Sequence, residues 1–478
     1  MRILLVSHLF PPSHSAGVEV FTAELAQGLI SRGHQVAVFH TNKSVGRKDM
    51  ELRRKSYKGI AVFELNNNLF HEKFQDTWDH ADVDARFEEA LMEFKPEVVH
   101  FHHLMYLSKG CLPLAKKHAS AVLFTPHDYY LECGSMGQLV YVDGSVCERV
   151  DTGKCGTCLP HFTWRQSDLQ RSVGRGLGRL HALTGLDLGP LARRLAGAAG
   201  NRAGGASAIP AEQDLPPQPA ADQVALYTDL AVQRRSELLQ AVTENVDRFL
   251  CPSQFLADRM QRFGLPSERV FLCPTGVNEE QFLGERQPTE ATRKRGQNGR
   301  LQITFVGTVI PIKGPHLLLE AWSSLPSELR QAGELSICGP VQHAPAYVEG
   351  LRAKASEYGV ELTGRLSREQ VAERLAATDL LVMPSLWFEN RPLVLHEALA
   401  LGVPCLVSDL GGMAELVQEG RDGWHFAMGD AQALAQRLAQ ILADPTTLVA
   451  LNPKSPDLCS WTEAAQRFET HYEQVQKS

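Results

Sequence analysis

Short hydrophobic runs alternate with stretches of helical spacing through both halves of the chain. In the first half the pattern predicts strands at Ile3–Ser7, Gln35–Phe39, Val98–Phe101 and Ala121–Thr125, with helices over Glu19–Arg32 and Phe87–Phe94. The second half predicts strands at Ile303–Val306, Leu335–Cys338, Val360–Thr363, Leu380–Met383 and Pro404–Val407, with a helix after Pro315. Such alternation is typical of parallel sheets with helices on both faces. We therefore expect an α/β fold of two doubly wound, Rossmann-like domains that face each other across a cleft.

Breaks in this pattern suggest where the domains begin and end. Segment 284–300 has no hydrophobic period and is predicted to link a first domain, 1–283, to a second, 301–458. The last segment, 459–478, has the spacing of an amphipathic helix from Trp461 to Val475.

An insertion is predicted at about 161–246, where leucines and arginines interleave and acidic residues are few. The arginines of its first part are Arg165, Arg171, Arg175, Arg179, Arg193, Arg194 and Arg202. A basic segment with one apolar side can lie on an anionic membrane surface. A surface helix packed on its own domain, or a partly disordered loop, is an equally good interpretation of the same residues.

Composition narrows the class of protein. The chain has 478 residues, 44% hydrophobic and 22% charged, as in globular proteins of more than one domain. A net charge of −7 gives no indication of nucleic-acid binding. The run Met1–Ser7 is followed by Pro11-Pro12 and is expected to be a buried strand, not an export signal. Without a stretch long enough to cross a bilayer, we expect a cytoplasmic protein that can lie at the inner face of the membrane.

Two glutamates flank a predicted turn from strand to helix. Glu389 lies in the loop after the strand Leu380–Met383, and Glu397 lies within a helix that opens at Pro392 and ends at Gly402. Proline suits the first helical turn, glycine suits the end, and the helix start between the glutamates favours an anion. Carboxylates on either side of an anion site suit a ligand with hydroxyls at both ends and phosphates in the middle, as in a nucleotide sugar. The alternative is a solvated loop residue and a charge on a helix face.

This segment, with Gly411–Leu416 after it, resembles the Glu-x7-Glu region of retaining glycosyltransferases of the GT-B architecture, family 4. The resemblance implies that Glu389 contacts the hydroxyls of the donor sugar and Glu397 the ribose. Many members have Phe-Gly after the first glutamate, whereas this chain has Asn390-Arg391-Pro392. Arg391 could reach a donor phosphate, or it could be an exposed structural arginine.

Further donor contacts are carried over from the same family. The loop Gly307–Gly314 resembles its Gly-Arg-x4-Lys-Gly loop, which assigns Lys313 to the donor diphosphate, with Thr308 where arginine is common. Gly339 and Gly364, after their strands, are expected near the base. Gly17, between the first strand and the first helix, is expected to offer backbone N–H groups to phosphate or a sugar oxygen.

His127 follows the strand Ala121–Thr125 and resembles the family's histidine beside the reaction centre. Asp128 is expected to orient the imidazole, which could carry a proton; the alternative is a structural His–Asp pair. His100, His102 and His103 border the preceding strand, and alternation along a strand argues against a shared metal.

Four cysteines follow this edge with spacings of 13, 7 and 2 residues, namely Cys133, Cys147, Cys155 and Cys158. Four thiols that include a Cys-x2-Cys pair suit a structural zinc; independent buried cysteines are the alternative.

The resemblance implies a retaining, metal-independent glycosyltransferase of the hexosyltransferase type that needs no cofactor for catalysis. Lys313, Glu389 and His127 would be its catalytic residues. The donor would be a nucleotide-diphosphate sugar and the acceptor a saccharide or a lipid-linked molecule, in bacterial polysaccharide or glycolipid biosynthesis. The first domain would hold the acceptor, the second the donor, and the last helix would cross back onto the first. A GT-B epimerase or phosphorylase, or a non-catalytic sugar-nucleotide binding protein, is the alternative.

Overall fold

The computed structural model describes residues 1–186, 188–189, 216–278, 282, 299–453 and 459–477. Most of the predicted linker 284–300, and part of the predicted insertion, lie outside these residues. No helix among the described residues combines the length and the hydrophobicity that a bilayer crossing requires.

The first domain is built on an eight-stranded sheet in the order β3-β4-β2-β1-β5-β6-β7-β8, parallel except for the antiparallel β3–β4 pair. Its strands are β1 (Arg2–Ser7), β2 (Gln35–Asn42), β3 (Glu51–Tyr57), β4 (Ile60–Asn66), β5 (Val98–Phe101), β6 (Ala121–Phe124), β7 (Arg248–Cys251) and β8 (Val270–Leu272). Its helices are α1 (Gly17–Ser31), α2 (Ala81–Phe94), α3 (Cys111–His118), α4 (Thr152–Cys158), α5 (Asp168–Thr184), α6 (Ala221–Asn245) and α7 (Gln254–Phe263).

The second domain has a six-stranded, wholly parallel sheet in the order β11-β10-β9-β12-β13-β14. Its strands are β9 (Leu301–Val306), β10 (Gly333–Cys338), β11 (Glu361–Gly364), β12 (Leu380–Met383), β13 (Cys405–Ser408) and β14 (Gly423–Phe426). The remaining helices are α8 (Pro315–Ser324), α9 (Ser327–Gln331), α10 (Pro345–Glu357), α11 (Arg368–Ala376), α12 (Leu393–Ala400), α13 (Gly411–Leu416), α14 (Ala431–Ala443), α15 (Thr446–Val449) and α16 (Trp461–Gln476). The predicted fold class, two doubly wound domains, is confirmed.

Strand β1 shows why the hydrophobic runs form central strands. Leu4 and Val6 enter the core on one face of the sheet, and Ile3 and Leu5 enter the core on the other. Consecutive side chains point to opposite faces, so a strand covered on both sides must be hydrophobic throughout.

Helix α16 packs against α1 of the first domain. A Cβ atom at Gly28 would lie 2.9 Å from the Trp461 carbonyl oxygen, so the missing side chain permits the close approach. Tyr472 of α16 hydrogen-bonds through its hydroxyl to His100 Nδ1, at 2.8 Å.

Helix α6 differs from the expectation for segment 161–246. Ala231, Leu238 and Val242 are buried in the first domain's core, and α6 leads directly into β7. The second part of the predicted insertion is therefore an ordinary crossover helix of the sheet.

Candidate active site

The two domains meet at the loops that follow their strands. The Ser253 hydroxyl donates to Asn390 Oδ1 at 2.6 Å, and Arg391 Nη1 donates to the Pro252 carbonyl at 2.9 Å. Asn390 Nδ2 also donates to the backbone carbonyl of His127, at 3.4 Å. These contacts place the residue after Glu389 directly beside His127.

Lys313 is positioned by a tight turn between β9 and α8. Gly314 has φ of 70°, and a Cβ atom there would lie 1.9 Å from the Pro384 carbonyl oxygen, so only glycine allows the loop to approach β12 this closely. The Lys313 ammonium forms an ion pair with Glu389 and lies 4.9 Å from the centre of the Trp387 ring. The cation is thereby held against the first of the two glutamates.

Glu389 is only 4% exposed. Besides Lys313, its Oε1 atom accepts a hydrogen bond from the Ser385 hydroxyl at 2.9 Å, and its backbone carbonyl accepts from the Gly412 N–H at 2.8 Å. A Cβ atom at Gly412 would lie 1.8 Å from the Asn390 carbonyl oxygen. The first residues of α13 thus pack against the backbone of the loop that carries Glu389.

Glu397 lies within α12 and is 3% exposed. Arg368, the first residue of α11, donates to its Oε1 atom, whereas its Oε2 atom has no hydrogen-bond partner among the described residues. Burial raises the pKa of Glu397, and the neighbouring Arg368 opposes the rise. The second oxygen therefore retains its capacity to accept a hydrogen bond.

The other predicted donor residues lie on loops of the second domain, except Gly17, which lies on the first. A Cβ atom at Gly339 would lie 1.8 Å from the Gly307 carbonyl, and the Gly339 N–H donates to the Gly364 carbonyl at 2.9 Å, so three loops meet at one edge beside Thr308. Pro392 is the N-cap of α12. On the opposite domain Gly17 is the exposed first residue of α1.

Arg391 is in a different setting from the one expected. It is 8% exposed, and its guanidinium hydrogen-bonds to His396 and to the Pro252 carbonyl. It is not an exposed arginine, and its contact with Pro252 joins the two domains. A donor-binding role for Arg391 stays a prediction.

The first domain contributes imidazoles. His127 Nε2 lies 3.3 Å from His102 Nδ1, and its ring meets the Phe21 ring edge-on at 4.5 Å between centroids. The loss of surrounding water lowers the pKa of His127 to about 3, and His103 adds to the fall. The imidazole is therefore neutral near pH 7, able to accept or donate one hydrogen bond but not to act as a cation.

The expected pairing of His127 with Asp128 is wrong. The Asp128 carboxylate lies 2.9 Å from His103 Nε2 and accepts from the Tyr130 N–H at 2.8 Å. Asp128 is adjacent in sequence to His127, but its side chain folds back onto the turn at Tyr130. The His103 ring in turn packs at a tilt against the His8 ring, and His8 Nε2 lies 3.5 Å from the buried Glu19.

Sequence reasoning missed several residues of this site, among them Arg368, Ser385, Ser253 and Glu19. For Arg368 a signal exists, because Ser367 and Gln370 form a capping box just after β11. For Ser253 no local signal exists, since its partner lies 137 residues away in the other domain.

The four cysteines lie in one region of the first domain, without disulfides. Burial, together with the neighbouring Cys133 and Cys147 thiols, raises the pKa values of Cys155 and Cys158 to about 12. The Cys147 thiol donates a hydrogen bond to the Tyr141 hydroxyl, with 3.1 Å between sulfur and oxygen. Among the described residues no group of three or more His, Cys, Asp and Glu side chains is arranged to hold a metal. Zinc binding stays a prediction.

Two protein-family models match the chain, one over each of the two domains. Residues 288–457 match the model described as glycosyl transferases group 1. Residues 15–150 and 222–281 match Glycosyltransferase Family 4. The second match omits 151–221 and resumes with α6.

Relatives with assigned names are similar over part of their length. The D-inositol 3-phosphate glycosyltransferase of Xylanimonas cellulosilytica is 29% identical over 234 residues, 46% of this chain and 55% of the relative. WcaL of Escherichia coli K12, named for colanic acid biosynthesis, is 30% identical over 202 residues, 40% of this chain and 47% of WcaL. The chain thus spans about half the length of the curated relatives it matches.

Solved structures share the whole architecture. HepE of Anabaena, in complex with UDP and glucose, superposes with a TM-score of 0.60 at 14% identity, covering 99% of this chain and 100% of HepE. Sucrose-phosphate synthase of Thermosynechococcus elongatus gives 0.60 at 18% identity, covering 99% and 98%. At these identities the likeness establishes the fold alone.

Proposed function

We propose that this chain, a glycosyltransferase of the GT-B fold, transfers a sugar from a nucleotide-diphosphate sugar to an acceptor hydroxyl, with retention of the anomeric configuration. The observation that carries the proposal is the pair of buried glutamates, each held by one cation. Glu389 pairs with Lys313, and Glu397 pairs with Arg368. Two carboxylates for hydroxyls and two cations for phosphates match the layout of the proposed donor.

The nucleoside end of the donor belongs beside Glu397. Its Oε2 atom is buried and has no partner among the described residues, and a ribose hydroxyl that donates to it would remove the cost of that unpaired oxygen. The base is expected beside the glycine loops at Gly339 and Gly364, which meet at the same sheet edge. Binding of UDP or ADP by structural neighbours is consistent with this assignment.

The sugar and diphosphate belong beside Glu389 and Lys313. When the donor binds, the Lys313 ammonium moves from Glu389 to the diphosphate, and the released Glu389 oxygen accepts from a sugar hydroxyl. As the sugar–phosphate bond breaks, the ammonium stabilises the charge on the leaving diphosphate, a role that otherwise falls to a divalent ion. The acceptor oxygen then bonds to the sugar carbon, and its proton passes to the leaving phosphate oxygen.

His127 lines the reacting end of the cleft from the first domain. Its neutral imidazole positions the acceptor or sugar hydroxyl by a single hydrogen bond. The acceptor is a saccharide or a lipid-linked molecule of bacterial polysaccharide or glycolipid synthesis, which the name of WcaL supports.

The experiment that tests the proposal is a panel of UDP-, GDP- and ADP-sugars with the purified protein. Thermal shift identifies the donor, and release of the nucleoside diphosphate with an acceptor measures transfer. NMR of the product then assigns the new linkage. An α-linked product from an α-linked donor is expected. A β-linked product, or no stabilisation by any nucleotide sugar, contradicts the proposal.

A further inference from the structure

Helix α5 presents a hydrophobic row to solvent. Leu169, Val173, Leu180 and Leu183 follow the spacing of one helix face, with Gly176 completing the row. Their side chains are 74%, 49%, 39% and 86% exposed, and Leu186, just past the helix, is 59% exposed. A helix on a protein surface normally turns its hydrophobic side inward, so α5 is reversed.

Glycines on the opposite side of α5 explain the reversed packing. A Cβ atom at Gly174 would lie 2.5 Å from Phe70 Cζ, and one at Gly178 would lie 2.9 Å from the Arg47 carbonyl oxygen. The helix backbone therefore rests directly on the domain. Its large hydrophobic side chains cannot turn inward without lifting the helix off this contact.

The surface around the row is basic, although the whole chain carries a net charge of −7. Arg165 is exposed just before α5, and Arg179 is exposed on it. Lys48 and Lys73 are exposed on the loops against which the helix packs. Two acidic groups on and beside α5 are paired with arginines, Glu72 with Arg175 at 3.0 Å and Asp168 with Arg171. Arginines beside exposed leucines complement a surface that has negative headgroups over a hydrocarbon layer.

The location of α5 relates this surface to the cleft. Phe70 and Arg47 belong to the loops after β4 and β2, at the edge of the sheet where His8 follows β1 and His127 follows β6. Asn67 of the first loop donates to the Tyr106 carbonyl at 2.9 Å, and Tyr106 lies beside His8. The hydrophobic row is thus on the acceptor side of the molecule.

We propose that α5 docks the first domain on a bilayer surface containing anionic lipids, with the leucine row in the headgroup boundary and the basic residues among the lipid phosphates. Charge complementarity favours this occupant over a second copy of the chain, whose surface would bring the same positive charges together. The proposal does not depend on transferase activity, since docking needs neither donor nor acceptor.

The test is co-sedimentation of the full chain with phosphatidylcholine vesicles and with vesicles that also contain phosphatidylglycerol. We expect binding to the anionic vesicles alone, weakened by high salt because surface charges are screened. Leu169→Ser with Leu183→Ser should reduce the partition coefficient by at least about tenfold, and Arg179→Ala by about fivefold. Leu226→Ser with Val232→Ser is the matched control, because these residues of α6 are 55% and 49% exposed outside the row.

Equal melting temperatures of all variants exclude unfolding as the cause of weaker binding. Absence of binding to anionic vesicles, or equal loss in the α6 control, would overturn the proposal. So would a dimer in size-exclusion chromatography that Leu183→Ser dissociates, or binding that appears only after removal of 190–215, since each means that another occupant covers the row.

Discussion

The two domains share one architecture but present different chemistry to the cleft. The second domain contributes charged side chains that are already paired, Lys313 with Glu389 and Arg368 with Glu397. The first contributes imidazoles whose pKa values are lowered by burial, such as His102 and His127. Because both domains have the same kind of sheet, the difference between them lies in the loops that follow the strands. The residues of these loops determine which part of a substrate each domain can bind.

The physical reason lies in the cost of burial. A buried charge is tolerated when a partner of opposite sign stays close, and the ion pairs of the second domain meet that condition before any ligand is present. A histidine avoids the cost by remaining neutral. The second domain's side of the cleft is therefore suited to phosphates, and the first domain's side to neutral hydroxyl groups.

The largest expected effect is that acid destabilises the first domain more than the second. Among the described residues, burial lowers the pKa of six histidines in the first domain but of only two in the second, His316 and His396. In the first domain the pKa values of His127, His40 and His71 fall to about 3, 4 and 4, below the ordinary 6.5. The unfolded chain then binds more protons, so the stability present above about pH 6.5 is lost as pH falls towards these values, by up to about 1.4 kcal/mol per pH unit for each histidine. The raised pKa of buried carboxyls such as Glu19 acts in the opposite direction.

Limited proteolysis at pH 7 and pH 5, with the cleavage sites mapped, measures this difference. We expect new cleavage at pH 5 mainly in the first domain. Equal sensitivity of the two domains would show that the contrast in their histidines has no effect on stability.

Lys313→Ala should have the next largest effect. It removes the charge assigned to the diphosphate and leaves Glu389 buried without its cation, so kcat/KM should fall by about 10²–10³, or about 3–4 kcal/mol. Initial rates and donor affinity measure the change. Lys354→Ala, an exposed lysine of α10, is the control, and wild-type donor affinity in Lys313→Ala would contradict the donor site.

Gly412→Ala tests whether the glutamate loop depends on close backbone packing. The new Cβ atom would lie 1.8 Å from the Asn390 carbonyl, so the loop must shift, with an expected loss of about 2–4 kcal/mol of stability. Gly350→Ala is the matched control, since nothing lies within 4 Å of its Cβ position in α10. That change should stabilise by about 0.5–1 kcal/mol. Thermal unfolding compares them, and equal midpoints would contradict the packing argument.

His127→Ala should reduce turnover about 10–100-fold with donor affinity unchanged, because a neutral imidazole on the acceptor side acts mainly in the transition state. The turnover of the wild type should show no acid limb from this group above about pH 5, as its pKa is about 3. Single-turnover kinetics separates binding from chemistry, and His343→Ala on the exposed surface is the control. An equal loss of donor affinity would show that His127 contributes to donor binding instead.

Chelation should have the smallest effect. Brief treatment with EDTA is expected to leave turnover within about twofold, because the proposed mechanism assigns the charge for the leaving diphosphate to Lys313. Loss of activity that Mg²⁺ or Mn²⁺ restores would contradict this.

Elemental analysis separately tests the cysteines, where about one zinc per chain is expected for four thiolate ligands, and a metal-free, active protein would rule zinc out.

The secondary structure that sequence could predict has a local cause. Strands such as Val98–Phe101 and Leu380–Met383 are buried on both faces, so their hydrophobic runs are visible in the chain. Strand β3 was missed because its sequence, from Glu51 to Tyr57, is mostly charged and lies at the sheet edge. Segment 161–246 was predicted to be one insertion because α6 has few buried residues, and many charged residues stand between them.

What the sequence determined by itself was the alternation of elements and the order of polar residues after them: Lys313 after β9, and Glu389 and Glu397 around the start of α12. These follow from the next few residues in the chain, because turns, caps and periodicity are local. Only the tertiary structure decided the partners: Asp128 with His103 instead of His127, Arg391 with the Pro252 carbonyl, and the glycine face of α5 inward. Each of these contacts depends on which loops meet at one edge of the sheet. The loops come from distant parts of the chain, so no local sequence pattern can predict their meeting.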